Sequence, residues 1–277
     1  MSMTEIIAHR GARSLAPENT LAAAKAAWQS GAHRWETDIQ ITRDGCPVLF
    51  HDRDLLRCTN APKHFKHLIS GGRRKYLVSH FSLAELKTLD AGSWFEHTDP
   101  FSTIQKGFVK ADALAGFSNE KIPTLEQGLL LTKKLHWQIN LELKDHGMDP
   151  SPFYTVDYTL AAINESEIPP ARVVISSFNH SWLERVRQLQ PYIAVQALVG
   201  ETRADMETFH PGRFKTYNIN ADFVDTEFVR CLVQEGFIVN LFTVNDPRTA
   251  AMHIQAGASG IITDFPQFFA DQNHPAG

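Results

Sequence analysis

Residues 35–52 read WETDIQITRDGCPVLFHD, and this stretch decides the fold. Side chains of a strand alternate between faces, so Glu36 and Asp38 point one way while Thr37 points the other. An Asp44-Gly45 turn follows, and the apolar return PVLF ends at His51-Asp52. Two carboxylates on one face of an apolar strand repel each other and lose solvation unless a cation or a proton compensates them. A solvated, ion-paired surface would tolerate such a pair. So would the rim of a parallel barrel, where strand ends converge on a site.

Working outward, short β-rich runs alternate with amphipathic helical patterns, as in a mainly parallel sheet with helical crossovers. The strand candidates are Glu5 to His9, Arg34 to Ile39, Trp137 to Leu143, Val173 to Ser176, Ile193 to Leu198, Tyr217 to Ile219, Ile238 to Phe242 and Gly260 to Thr263. Helical candidates include 20–29, entered through Asn19 as N-cap, then 125–134, 180–189, 226–235 and 247–256. Gly31, Gly236 and Gly257 stand where helix ends call for a left-handed residue. The crossover 200–216 carries the weakest helical pattern. Eight such units predict an α/β fold of the (β/α)8 TIM-barrel type spanning the 277 residues as one domain. Residues 53–122 break the rhythm with aromatics, Gly71-Gly72 and one helical pattern in SLAELKTL. They read as an inserted subdomain between strand 2 and its following helix, packed over one end of the barrel.

Composition sets the outer limits. At 43% hydrophobic and 21% charged residues, the chain resembles an average globular protein with a sizeable core. Its 27 basic and 31 acidic side chains leave a formal charge of −4, which gives no global field for nucleic acid or anionic membrane. Cys46, Cys58 and Cys231 form neither a CxxC pair nor an even framework, and read as free thiols. The N-terminus carries no basic start followed by an apolar run, and no apolar run reaches the roughly 18 residues of a membrane span. A cytoplasmic protein without stable membrane association is the expectation; oligomeric state is left open.

Asn140, Glu142 and Lys144 share a face of the next strand, so Glu142 adds a third carboxylate beside Glu36 and Asp38. Three carboxylates are hard oxygen ligands, suited to Mg2+ or Ca2+ rather than zinc. His9-Arg10-Gly11 ends the first strand and His51 ends the return strand, giving two histidines next to the acids and a pattern fit for paired acid and base catalysis. With Arg10 and Lys144 on the same rim, the substrate is expected to be anionic, a phosphate ester. No Walker loop or GxGxxG follows a strand, and no GxSxG elbow surrounds Ser176 or Ser177. Asp264, after the last strand, suits either an orienting role at the rim or a helix cap before Phe265-Pro266.

These motifs resemble the glycerophosphodiester phosphodiesterase family. The residues that carry the likeness are His9-Arg10-Gly11, Pro17-Glu18-Asn19-Thr20, Glu36-Thr37-Asp38, Asp44-Gly45 and His51-Asp52, continued by IPTLEQGL, NLELK, TVND and GASGIITDFP. The resemblance implies a TIM barrel with an insertion, hydrolysing small glycerophosphodiesters to sn-glycerol 3-phosphate and an alcohol with Mg2+ or Ca2+. It implies Glu36, Asp38 and Glu142 as metal ligands, His9 and His51 as the acid and base pair, and Arg10 and Lys144 near the phosphate. Where many members carry tryptophan before TVN, this chain has Phe242, an apolar substrate-facing wall without an indole donor. The PENT residues read as a turn and helix start that holds the first loop. Two other readings are a lysophospholipase D-like enzyme, which needs an apolar groove, and a catalytically silent barrel that binds phosphorylated ligands.

Overall fold

In the computed structural model, which describes residues 4–147 and 150–269, eight parallel strands close into a ring. They are β1 (Glu5–Ala8), β2 (Arg34–Ile41), β4 (Ile139–Leu143), β5 (Val173–Ser177), β6 (Ala194–Val199), β7 (Thr216–Asn220), β8 (Ile238–Phe242) and β9 (Gly260–Thr263). The remaining strand, β3 (Pro47–Leu49), is the return arm of the opening stretch and pairs antiparallel with β2. Closure is made by β1, which hydrogen-bonds to β2 on one side and β9 on the other. All eight expected barrel strands are present, and the barrel is the one the pattern of the sequence predicts.

Alternation along β2 divides its side chains between two environments. Trp35 and Ile39 join the main core with Leu125 and Leu129 of the helix Leu125–Lys134. Trp35 stacks on Trp137 at 6.3 Å between ring centroids, and each indole N–H has a partner, Thr132 Oγ1 for Trp35 and the Ala32 carbonyl for Trp137. Burying an aromatic side chain of this size stabilises the fold by about 3 kcal/mol. Glu36, Asp38 and Gln40 take the opposite face and are also buried.

The helices Leu125–Lys134 and His180–Leu189 match their expected bounds. The first helix differs at its entry, because Thr20 rather than Asn19 is its N-cap and accepts from Ala23 N. Asn19 has a left-handed backbone, and its amide is spent on β2. One helix, Tyr154–Ser166, is not among those the periodicity marks; its buried stripe includes Thr155, Thr159 and Ser166, whose polarity conceals it. The weak crossover 200–216 holds only a short helix, Arg203–Glu207.

Between β3 and the helix Leu125–Lys134 the chain makes short helical turns. They pack around a separate cluster that includes Leu55, Tyr76, Val78, Phe81, Leu86 and Leu89 with Val48 and Phe50. The SLAELKTL pattern gives only the helix Leu83–Leu86, opened by a reciprocal Ser82–Glu85 capping box. Asp90 then turns the chain by accepting from Gly92 N and Ser93 N. Among the described residues no helix is long and apolar enough to cross a membrane, and all three cysteines are free.

Candidate active site

The strand register brings the acids together. Asp38 on β2 is paired in register with Glu142 on β4, and Glu36 with Asn140. Carboxylate oxygens of Glu36, Asp38 and Glu142 lie within 4.8 Å of one another. Glu36 Oε1 and Asp38 Oδ1 are buried without a hydrogen-bond partner, which for carboxylates marks a position that a cation fits. Lys144 Nζ stands against the cluster, 2.6 Å from Glu142 Oε1 and 3.5 Å from Asp38 Oδ1. Burial, with Asp38 and Glu142 beside it, raises the Glu36 carboxyl well above the usual range. Burial alone would raise Asp38 too, but His51, Lys144 and Arg10 hold it far below its ordinary value.

Arg10 joins this cluster to the first loop. Its backbone N–H donates to Glu36 Oε2 at 2.8 Å, its guanidinium donates to Glu18 Oε1 at 2.9 Å, and its Nε lies 3.4 Å from Asp38 Oδ2. The geometry needs Gly11 next to it, at φ +76°, with the Ala23 carbonyl carbon 2.6 Å from where a Cβ would stand. Glu18 of the PENT stretch is buried under three arginines, Arg10, Arg13 and Arg57. Burial would push Glu18 up, yet Arg10, with Arg57 and Arg13, holds it down at about 2.

Each expected catalytic histidine has an aspartate behind it. His9 Nδ1 is 2.7 Å from Asp264 Oδ1, and His51 Nδ1 is 2.8 Å from Asp52 Oδ1. Both aspartates have carboxyls held below the usual range despite burial, so they accept, each Nδ1 carries hydrogen, and each Nε2 is left to exchange a proton. Burial, and Arg10 beside it, lowers His9 against the raising pull of Asp264. Asp264 is therefore the orienting residue at the rim. It accepts from Asn245 Nδ2 and caps no helix, since the turn Pro266–Phe268 begins without a side-chain cap. Phe242, half-buried at the end of β8, packs edge-to-face on Phe178 at 6.1 Å.

Two further residues at this rim, Arg57 and Gln40, are not among the candidates the sequence marks. Arg57, from the insertion, donates to both Glu18 and Asp52 and so ties the PENT loop to the second His–Asp pair. Gln40 Nε2 donates to the carbonyls of Phe50 and Asp52, fixing the end of the return strand. Gln40 was within reach of the alternation argument, being two residues beyond Asp38 on the same face. Arg57 was not, because only the folded insertion brings it there.

A rim that combines clustered acids, fixed cations and two oriented imidazoles defines a TIM-barrel hydrolase of phosphoric diesters. The sequence profile of the glycerophosphoryl diester phosphodiesterase family matches residues 9–268, and the chain belongs to that family. A glycerophosphodiester phosphodiesterase of Caldanaerobacter subterraneus is 31% identical over 267 residues, covering 95% of both chains. A glycerophosphoinositol inositolphosphodiesterase of Mus musculus is 30% identical over 98% of this chain, which spans 48% of that relative. The solved phosphodiesterase of Oleispira antarctica, in complex with the product sn-glycerol-3-phosphate, is 29% identical and superposes with a TM-score of 0.73, covering 95% of this chain and 94% of that one.

Proposed function

We propose that the protein hydrolyses small, water-soluble glycerophosphodiesters to sn-glycerol 3-phosphate and an alcohol, in the cytoplasm, with a divalent cation, Mg2+ or Ca2+, held by Glu36, Asp38 and Glu142. The observation that carries the reading is the pair of His–Asp contacts at the same rim as the three carboxylates. A cation held by these carboxylates would neutralise charge on the phosphate. Arg10 and Lys144 add fixed positive charge to the phosphate position. One histidine, its Nδ1 held by aspartate, receives the proton of the nucleophile at Nε2, and the other gives its proton to the departing alcohol. Phe242 walls the pocket at the end of β8.

The nucleophile is water or the neighbouring hydroxyl of the substrate's own glycerol. Rapid quench separates the two, because the second route accumulates a cyclic glycerol phosphate. A silent ligand-binding barrel would need the cations but not two oriented proton carriers. An acyl-accepting site needs an apolar groove, whereas the aromatics Phe65, Tyr76 and Phe81 are spent in the insertion's own cluster.

The test is release of sn-glycerol 3-phosphate from glycerophosphocholine and glycerophosphoethanolamine, with and without chelator. Turnover that survives complete metal removal, or phosphate found on the alcohol instead of on glycerol, would overturn the reading.

A further inference from the structure

A cavity of about 750 Å³ opens beside His51, walled among others by Arg53, Asp54, Arg73, Arg74 and His80. His9 is not in its wall; that side chain is only 14% exposed and turned to Asp264. A smaller cavity of about 260 Å³ is walled by Glu142, Lys144, Asp145, His146 and Glu201 among others, and touches neither His9 nor His51. The two cavities differ in charge as well as position.

A proton donor must come within hydrogen-bond reach of the leaving oxygen, about 2.6–3.2 Å. The rest of the alcohol hangs from that oxygen, so it must occupy space next to the histidine that protonates it. His146 lines both cavities, but of His9 and His51 only His51 enters a wall of either, and that wall belongs to the larger cavity. Its charge then bears directly on the alcohol. Asp54 is tied to Arg73 at 3.0 Å, and Asp52 is tied to His51 and Arg57. Among the described residues Arg53 and Arg74 make no ion pair, so two guanidinium groups face the cavity uncompensated.

We propose that this cavity is the subsite of the departing alcohol, and that Arg53 and Arg74 make the enzyme prefer diesters whose alcohol carries negative charge, such as a second phosphate or a carboxylate. The assignment rests on the hydrolase reading above and adds to it the role of His51. As the nucleophile's oxygen bonds to phosphorus, the bond from phosphorus to the alcohol oxygen breaks, His51 Nε2 gives its proton to that oxygen, and His9 Nε2 receives the proton of the nucleophile. The arginines take no part in proton transfer; they act on the charge of the group leaving.

The experiment compares kcat/KM of the full chain with Mg2+ for three diesters: glycerophosphoglycerol, its terminally phosphorylated form, and glycerophosphocholine. Exposed charge pairs are individually weak, so two of them should separate the phosphorylated from the choline substrate by about tenfold. That separation should shrink as salt is raised to about 1 M, where the Debye length is about 3 Å. In Arg74→Glu the ratio of the two rates should fall by about tenfold or more, and in Arg53→Gln by a smaller factor. Both side chains are exposed, and circular dichroism checks that the variants fold. A wild-type preference for choline, a preference insensitive to salt, or a ratio unchanged in Arg74→Glu would overturn the assignment. Absence of turnover on all three diesters would overturn the hydrolase reading and this assignment together, whereas turnover without charge preference would overturn the assignment alone.

Discussion

His9 Nδ1 and Asp264 Oδ1 are 255 residues apart in the chain and 2.7 Å apart in the fold. The contact forms where the ring closes, with Ala8 of β1 in register with Thr263 of β9. It fixes both the tautomer and the direction of the imidazole, so the basicity of His9 depends on the far end of the chain.

In Asp264→Asn the barrel should remain folded while kcat falls about 100-fold or more, as happens when the carboxylate behind a catalytic histidine is neutralised. Asp264 raises the His9 pKa, so its loss should also move the acid limb of the kcat/KM profile to lower pH. Steady-state kinetics across pH measure both. An unmoved limb with wild-type kcat would refute the orienting role.

His51→Ala should lower kcat by roughly 10²–10⁴-fold, the range of a lost general acid or base. Thermal unfolding should change little, since the side chain is 29% exposed and among the described residues its hydrogen bond is to its neighbour Asp52. Retained turnover would remove His51 from the mechanism.

Glu36→Gln should weaken divalent-cation affinity at least about tenfold, because a neutral amide replaces one of three hard anionic donors. Without metal, the raised Glu36 pKa means the folded state holds a proton that the unfolded chain releases, so this group costs stability as pH rises above its ordinary value. The metal-free variant should therefore be at least as stable as the parent near neutral pH. Calorimetric metal titrations in buffers of different ionisation enthalpy should show proton release in the parent and less in the variant. Equal affinity in the two proteins would contradict the placement of the cation.

Glu18 carries the opposite sign. Its carboxyl is held at about 2 in the fold against an ordinary 4.5, so it stabilises the protein fully above about pH 4.5 and loses that effect as pH falls through about 2. The shift corresponds to roughly 3 kcal/mol. Denaturant midpoints across that window should fall in the parent and fall less in Glu18→Gln, which begins less stable. Parallel curves would show that the three arginines do not depend on its charge.

Gly11→Ala should destabilise by roughly 2–4 kcal/mol, combining a left-handed backbone with overpacking against Ala23. Its unfolding midpoint should drop accordingly, and a drop under about 0.5 kcal/mol would show that the first loop can shift to admit a methyl group.

The eight barrel strands were legible in the sequence because burial imposes alternation and short apolar runs. The acid cluster was legible because Glu36, Asp38 and Glu142 obey the same alternation on adjacent strands. Asn19 was misread as a helix cap because a cap is a local bargain, and here the side chain finds a stronger one on β2 with Thr37 and Asp38. Asp264 left two readings open, since its partners come from the loops after β1 and after β8. Arg57 was invisible for a further reason: no periodicity governs a loop residue, and only the insertion's cluster decides where its guanidinium ends up.

The double pairing of β1 also sets the order in which its contacts can form. As a nascent chain leaves the ribosome, β1 and β2 can meet early, but the other edge of β1 waits until every other strand of the ring has been synthesised. His9 gains its aspartate only at that final step. Ring closure and the orientation of the His9 imidazole are thus one and the same event.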